Sequence, residues 1–196
     1  MMKVAIVKYN AGNVQSVIYA LNRLGVNPIV TDDPELLQQA DKVIFPGVGE
    51  ASTAMAYLKE RGLDQVIVNL KQPVLGICLG LQLMCKHSEE GDVDCLGIFD
   101  VDVKRFPANA GVKVPQMGWN KLHHMKGLLF EGLPAESYVY FVHSYYAALS
   151  PETAAQSTHA VDFSASLQKD NFYAMQFHPE KSSEAGSVIL KNFLEL

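Results

Sequence analysis

From Lys3 to His87, short apolar runs rich in β-branched residues alternate with longer stretches of helical period. The strand-like runs are "KVAIVKY" (Lys3–Tyr9), "VNPIVT" (Val26–Thr31), "KVIF" (Lys42–Phe45) and "PVLGIC" (Pro73–Cys78). Between the first two, Val14, Val17, Ile18, Leu21 and Leu24 recur on one helical face, with Asn13 as a candidate N-cap and Gly25 as a stop. "PELLQQA" reads as a short helix with Pro34 near its start. Further helices are expected from about Ser52 to Arg61, from Leu63 to Lys71, and from Leu79 through "LGLQLMCKH". Strands separated by helices imply parallel βαβ units with right-handed crossovers, a topology that leaves few folds open.

The second half changes pattern. "LGIFDVDVKRF", "VPQMGWNKLHH", "YVYFVHSYYA", "TAAQSTHAVDFSASLQKD" and "FYAMQFHPE" read as strands joined by turns, hence an antiparallel or mixed part of the sheet. "SEAGSVILKNFLEL" closes the chain as a helix. No internal repeat or linker rich in Gly, Pro or Ser interrupts the pattern. The expected fold is therefore α/β: one domain over residues 1–196, with a largely parallel central sheet in its first half and antiparallel or mixed strands in its second.

Composition narrows the function classes. The 196 residues carry 16 basic and 21 acidic side chains, a formal net charge of −5 with no basic stripe, which argues against nucleic acid as a partner. Three cysteines, Cys78, Cys85 and Cys95, contain no Cys-x-x-Cys pair and suggest neither a disulfide framework nor a structural zinc site. No apolar run approaches the ~18 residues needed to span a bilayer. The expectation is a cytoplasmic protein with no cofactor, no metal and no membrane contact.

The chemistry-bearing stretch is "GICLGLQLM", Gly76–Met84. A Gly-x-Cys-x-Gly between a strand and a helix has the layout of a nucleophile elbow. The nucleophile sits on a tight turn, and the N–H of the next residue, Leu79, faces a developing oxyanion. Taken alone the stretch equally suits a core cysteine between two packing glycines. Cys85, two helical turns further on, is read as core.

A cysteine nucleophile needs a base, and the base needs an orienting group. "FYAMQFHPE" ends in His178-Pro179-Glu180. Residues two apart on an extended backbone share a side, and Pro179 biases His178 toward an extended conformation, so Glu180 can reach the His178 ring. "PGVG" (Pro46–Gly49) ends another strand on the same sheet edge, where its backbone amides could approach a ligand closely. His143, beside Ser144 and Tyr145, could border the same pocket, whereas adjacent His123 and His124 would face opposite ways on a strand.

"GICLGLQLM" followed by "FHPE" resembles the class I (triad) glutamine amidotransferases. "PGVG", "VPQMGWN", "YFVHSYY" and "FHPEKSSEAG" resemble, within that family, the glutaminase subunits of imidazole glycerol phosphate synthases. The resemblance spans essentially the whole chain and implies a single three-layer amidotransferase domain. It implies Cys78 as nucleophile, His178 as general acid/base, Glu180 as its orienter, and oxyanion N–H groups from Leu79 and from Gly47, Val48 and Gly49. It also implies that Gln82 holds the α-amino and carboxylate groups of L-glutamine, together with Gly49 and the Ser144–Tyr145 backbone.

It further implies a heterodimer with a (β/α)8-barrel cyclase subunit, which receives the ammonia and forms imidazole glycerol phosphate and an aminoimidazole carboxamide ribonucleotide. Asn13, Trp119, Tyr140 and Lys181 are the implied partner-facing residues. The chain departs from the family pattern at Lys8, Asn10 and Ser183.

Overall fold

The structure, a computed structural model, describes residues 2–10, 14–108 and 111–196. The first half alternates as β1 (Val4–Val7), α1 (Gln15–Arg23), β2 (Ile29–Thr31), α2 (Pro34–Gln38), β3 (Lys42–Gly47), α3 (Ala51–Glu60), α4 (Leu63–Val68), β4 (Val74–Cys78) and α5 (Leu79–Met84). The second half contributes β5 (His87–Ser88), β6 (Val93–Asp94), β7 (Asp102–Arg105), β8 (Gln116–Lys121), β9 (Tyr138–His143), β10 (Tyr145–Ala147), β11 (Thr153–His159), β12 (Val161–Lys169), β13 (Phe172–Met175) and α6 (Ser183–Glu195).

The central sheet runs β11-β12-β13-β4-β3-β1-β2. From β2 to β13 every neighbouring pair is parallel, and β13, β12 and β11 continue antiparallel. Strand β13 thus enters beside β4 from far along the chain and extends the parallel block. The α/β expectation holds, and the antiparallel strands do come from the second half.

Because the parallel strands are covered on both faces, they are apolar on both, as "VAIV" and "VLGIC" show. One face packs against α2–α5 through Leu37, Leu58, Ile67 and Leu81, the other against α1 and α6 through Leu21, Ile189, Leu190 and Phe193. Full burial of each such side chain contributes about 1.5–3 kcal/mol, which makes three layers the stable arrangement. Two smaller sheets, β10-β7-β5-β6 and the β8-β9 hairpin, flank the central one.

Three local expectations change. The helix after Cys78 stops at Met84, because the backbone beyond is captured by other segments: Phe99 N–H donates to Met84, Gly97 N–H to Cys85, and Lys86 N–H to Val101. His87 therefore sits in a strand. "YVYFVHSYYA" breaks at Ser144 into β9 and β10, which join different sheets. "TAAQSTHAVDFSASLQKD" is a hairpin that turns at Ala160, φ 62°. The proposed cap Asn13 lies outside the described residues. Among the described residues, no helix is long and apolar enough to cross a membrane.

Candidate active site

The carboxyl ends of three adjacent parallel strands assemble the site. Register places Gly47 of β3 opposite Cys78, the last residue of β4. On the other flank Met175 of β13 lies opposite Ile77, so the residues just past β13, Gln176 to His178, run alongside Cys78. Ligand sites in open α/β sheets form at this edge.

Cys78 has φ 54° and ψ −107°, a conformation that L residues rarely adopt and that costs of order 1–3 kcal/mol. The two glycines make the turn possible for packing reasons. A Cβ on Gly80 would lie 1.8 Å from the Phe45 carbonyl oxygen, and one on Gly76 would meet Met84 Sδ at 2.8 Å and the Gly80 backbone at 3.0 Å. The elbow leaves the thiol nearly buried, 7% exposed, with its sulfur at the floor of a cavity. Leu79 is the first residue of α5, so its N–H has no partner within the helix.

His178 Nδ1 lies 2.8 Å from Glu180 Oε1, with both side chains almost fully buried. Burial alone would lower the basicity of the ring, but hydrogen bonds with Cys78 and Glu180 and their charges outweigh it and push the His178 pKa up to about 10. The geometry is built by α6. Gly186 packs so closely on the His178–Glu180 turn that a Cβ there would sit 1.9 Å from the Pro179 carbonyl oxygen, which accounts for the small residue in "SEAG". Ser183 has φ 51°, a left-handed conformation that glycine adopts far more readily than serine.

The cavity, about 360 Å³, is lined by Cys78, His178, Gln82, Val48, Gly49, Glu90, His143, Ser144, Tyr145 and Lys181, among others. Gln82 Nε2 donates both its hydrogens, to the Tyr145 carbonyl and to Gln176 Oε1, each at 3.0 Å. Only Gln82 Oε1 is left for a ligand, so this amide suits an ammonium and not a carboxylate. The Ser144 carbonyl is taken by Phe106 N–H, while the Tyr145 carbonyl points toward Gln82 and His143. On a strand the N–H and C=O of one residue share a side, so Tyr145 N–H also faces the Gln82 side.

His143 Nδ1 donates to the Tyr145 carbonyl at 2.7 Å. Burial pushes the His143 pKa down to about 3, so this ring stays neutral and acts as a strut. Gly49 has φ 129°, which glycine alone adopts easily. Gly47 is small for a different reason: a Cβ there would lie 1.9 Å from Tyr9 Oη.

Two residues of the site escaped the sequence reading. Glu90, which follows β5, lines the cavity. Its Oε2 accepts Ala51 N–H at 3.0 Å, and burial, countered in part by that bond, raises its pKa. Nothing local in "CKHSEEG" announces this. Gln176 donates from Nε2 to Cys78 Sγ at 3.7 Å. The alternation that links His178 to Glu180 applies equally two residues earlier and would have found it.

Trp119 is 53% exposed and packs edge-on against Tyr140, which lies directly opposite it in the β8-β9 ladder. Exposed Met117 and Tyr138 extend this apolar face. Lys181 is exposed at the cavity rim.

A cysteine on a strained strand-to-helix turn and an acid-paired histidine, both lining one cavity at the sheet edge, are the arrangement that cysteine-dependent hydrolysis requires. The chain belongs to the class-I glutamine amidotransferase family, whose sequence pattern matches residues 5–196. It is similar to the imidazole glycerol phosphate synthase subunit HisH of Bacteroides fragilis, at 64% identity over 196 residues and 100% of both chains. The protein of the same name from Haemophilus influenzae is 46% identical over 100% of this chain and 98% of its own. Among solved structures, a glutamine amidotransferase shares the fold with TM-score 0.75 and 19% identity, over 98% of this chain and 97% of that one. PurLQS from Thermotoga maritima shares it with TM-score 0.74 and 15% identity, over 99% and 98%.

Proposed function

We propose that the chain is the glutaminase subunit of an imidazole glycerol phosphate synthase. It hydrolyses L-glutamine to glutamate and ammonia on Cys78 and passes the ammonia to a (β/α)8-barrel cyclase subunit. The observation that carries the reading is the placement of Cys78, on its strained elbow, against the His178–Glu180 pair inside the cavity.

The groups sort by charge around a glutamine. Glu90 and Gln82 Oε1 present acceptors to the α-ammonium, and Tyr145 N–H offers a donor to the α-carboxylate. The side-chain amide then reaches Cys78. His178, whose pKa is pushed up to about 10, takes the proton of Cys78. Sulfur attacks the amide carbon, and the oxyanion is met by Leu79 N–H and an amide of the Gly47–Val48–Gly49 strand. Each such donor is worth about 10²–10³ in rate.

His178 gives its proton to the leaving nitrogen, ammonia departs, and a γ-glutamyl thioester remains. Water, deprotonated by His178, then releases glutamate and regenerates the thiolate. The exposed Trp119–Tyr140 face, with Lys181 at its edge, is the proposed cyclase contact, since contiguous exposed apolar surface of this kind marks protein interfaces. Asn13 is assigned to the same contact from the sequence pattern alone.

The test is ammonia release from glutamine by the chain with a cyclase subunit and its carboxamide ribonucleotide substrate, each omitted in turn. Turnover should require Cys78 and rise with both additions. Full turnover by Cys78→Ala would refute the nucleophile, and indifference to the cyclase would refute the partner.

A further inference from the structure

Gln176 has no exposed surface, and its amide is held at both ends. Its direction can be traced from one fixed point. The Tyr145 carbonyl can only accept, so the Gln82 atom 3.0 Å from it is Nε2. That nitrogen also lies 3.0 Å from the Gln176 amide, which must therefore turn its oxygen toward Gln82. The Gln176 Nε2 is then left facing Cys78 Sγ at 3.7 Å. A backbone carbonyl on β10 thus dictates, through two amides, that a hydrogen-bond donor points at the sulfur from the side opposite the Gly47 strand.

We propose that Gln176 is a further catalytic residue, whose amide N–H donates to the Cys78 sulfur and favours its thiolate, with Gln82 as the positioning residue that fixes the direction of that donation. A neutral thiol would accept this bond weakly, whereas a thiolate accepts it as a charge-assisted bond, so the contact discriminates between the two forms. The amide is already oriented and cannot turn away, so no reorganisation is needed when charge develops on sulfur. It also lends Gln82 a double task, because the amide that faces the substrate ammonium through Oε1 anchors Gln176 through Nε2. The inference rests on Cys78 being the nucleophile.

The test reads the sulfur itself. Alkylation of Cys78 by iodoacetamide, followed by mass spectrometry of the Cys78 peptide across pH, reports the thiolate without using glutamine. The titratable groups around the sulfur are His178 with Glu180 behind it, Tyr9 beyond β1, and His143, Tyr145, Glu90 and Lys181 in the lining of the same cavity, and all remain in the variants. In Gln176→Leu the pH of half-maximal alkylation should rise by about one unit, which is about tenfold less thiolate at lower pH.

Gln176→Met keeps the length of the side chain and removes the donor without adding a charge, so it should raise that pH by a similar amount. It carries the test alone if the leucine variant does not fold. An unchanged alkylation profile in a folded variant would overturn the proposal. A failure of the functional reading looks different, since Cys78→Ala would then retain glutamine turnover whatever the alkylation profile.

Discussion

Tyr140 and His178 are locked to each other through their backbones. His178 N–H donates to the Tyr140 carbonyl at 2.9 Å, and Tyr140 N–H donates to Ser182 Oγ at 2.9 Å, while the same hydroxyl donates to the His178 carbonyl at 2.6 Å. The strand carrying the half-buried Tyr140 ring and the residue carrying the imidazole therefore share one buried clamp.

Ser182→Ala removes the bridge and leaves a buried N–H and a weakened carbonyl contact. The unmet donor costs about 1–3 kcal/mol. For a chain of this size each kcal/mol is worth about 2–4 °C, so a melting temperature several degrees lower is expected by calorimetry. Glutaminase turnover should fall with it as His178 loses its anchor. An unchanged melting curve would show that the clamp contributes nothing.

Glu180→Gln keeps the shape of the pair and removes its charge. His178 then loses one of the partners that raise its pKa, so its titration, followed by NMR, should move down from about 10. Turnover should drop by about 10²-fold or more, with KM for glutamine little changed, because Glu180 touches the base and not the substrate. In the unaltered protein the raised pKa stabilises the fold fully below the ordinary histidine range near 6.5. That contribution is lost as pH rises toward 10, so chemical denaturation should show stability declining over that window, and Glu180→Gln should flatten the decline.

Glu90→Gln tests the ammonium site. Removing the carboxylate should raise KM for glutamine about tenfold or more and leave kcat much closer to the original value, the signature of lost ground-state binding. Burial raises the Glu90 pKa, so in the unaltered protein KM should also climb on acidification earlier than an ordinary carboxylate would allow. Equal losses in kcat and kcat/KM would place Glu90 at the transition state instead.

Ser183→Gly relieves a left-handed backbone at the start of α6. A non-glycine residue there costs about 1–2 kcal/mol, partly offset by the greater freedom of glycine in the unfolded chain. A rise of a few degrees in melting temperature is expected, with turnover unchanged, since Ser183 lines neither the cavity nor the clamp. A lower melting temperature would mean that the serine makes a contact worth more than the strain.

The residues that could be found from the sequence were those whose partners are close along the chain or whose role demands a rare local pattern. The alternation of β1 to β4 with α1 to α5 was legible because parallel strands buried on both faces must be apolar throughout, and the helices between them must show a 3.6-residue stripe. Gly-x-Cys-x-Gly was legible because a strained turn tolerates little else around it. His178 and Glu180 were legible because two residues apart on an extended chain is a geometric statement.

Whether these pieces meet was decided by the tertiary structure alone. Strand β13 pairs with β4 across roughly a hundred residues of chain, and that pairing sets His178 and Gln176 beside Cys78. The early end of α5, the recruitment of Glu90 to the cavity and the committed hydrogens of Gln82 all arise from contacts with segments remote in sequence. A hydrogen bond of that kind has no period and leaves no local mark. The sequence determined which side chains could do the chemistry, and the packing of the sheet determined which of them face one another.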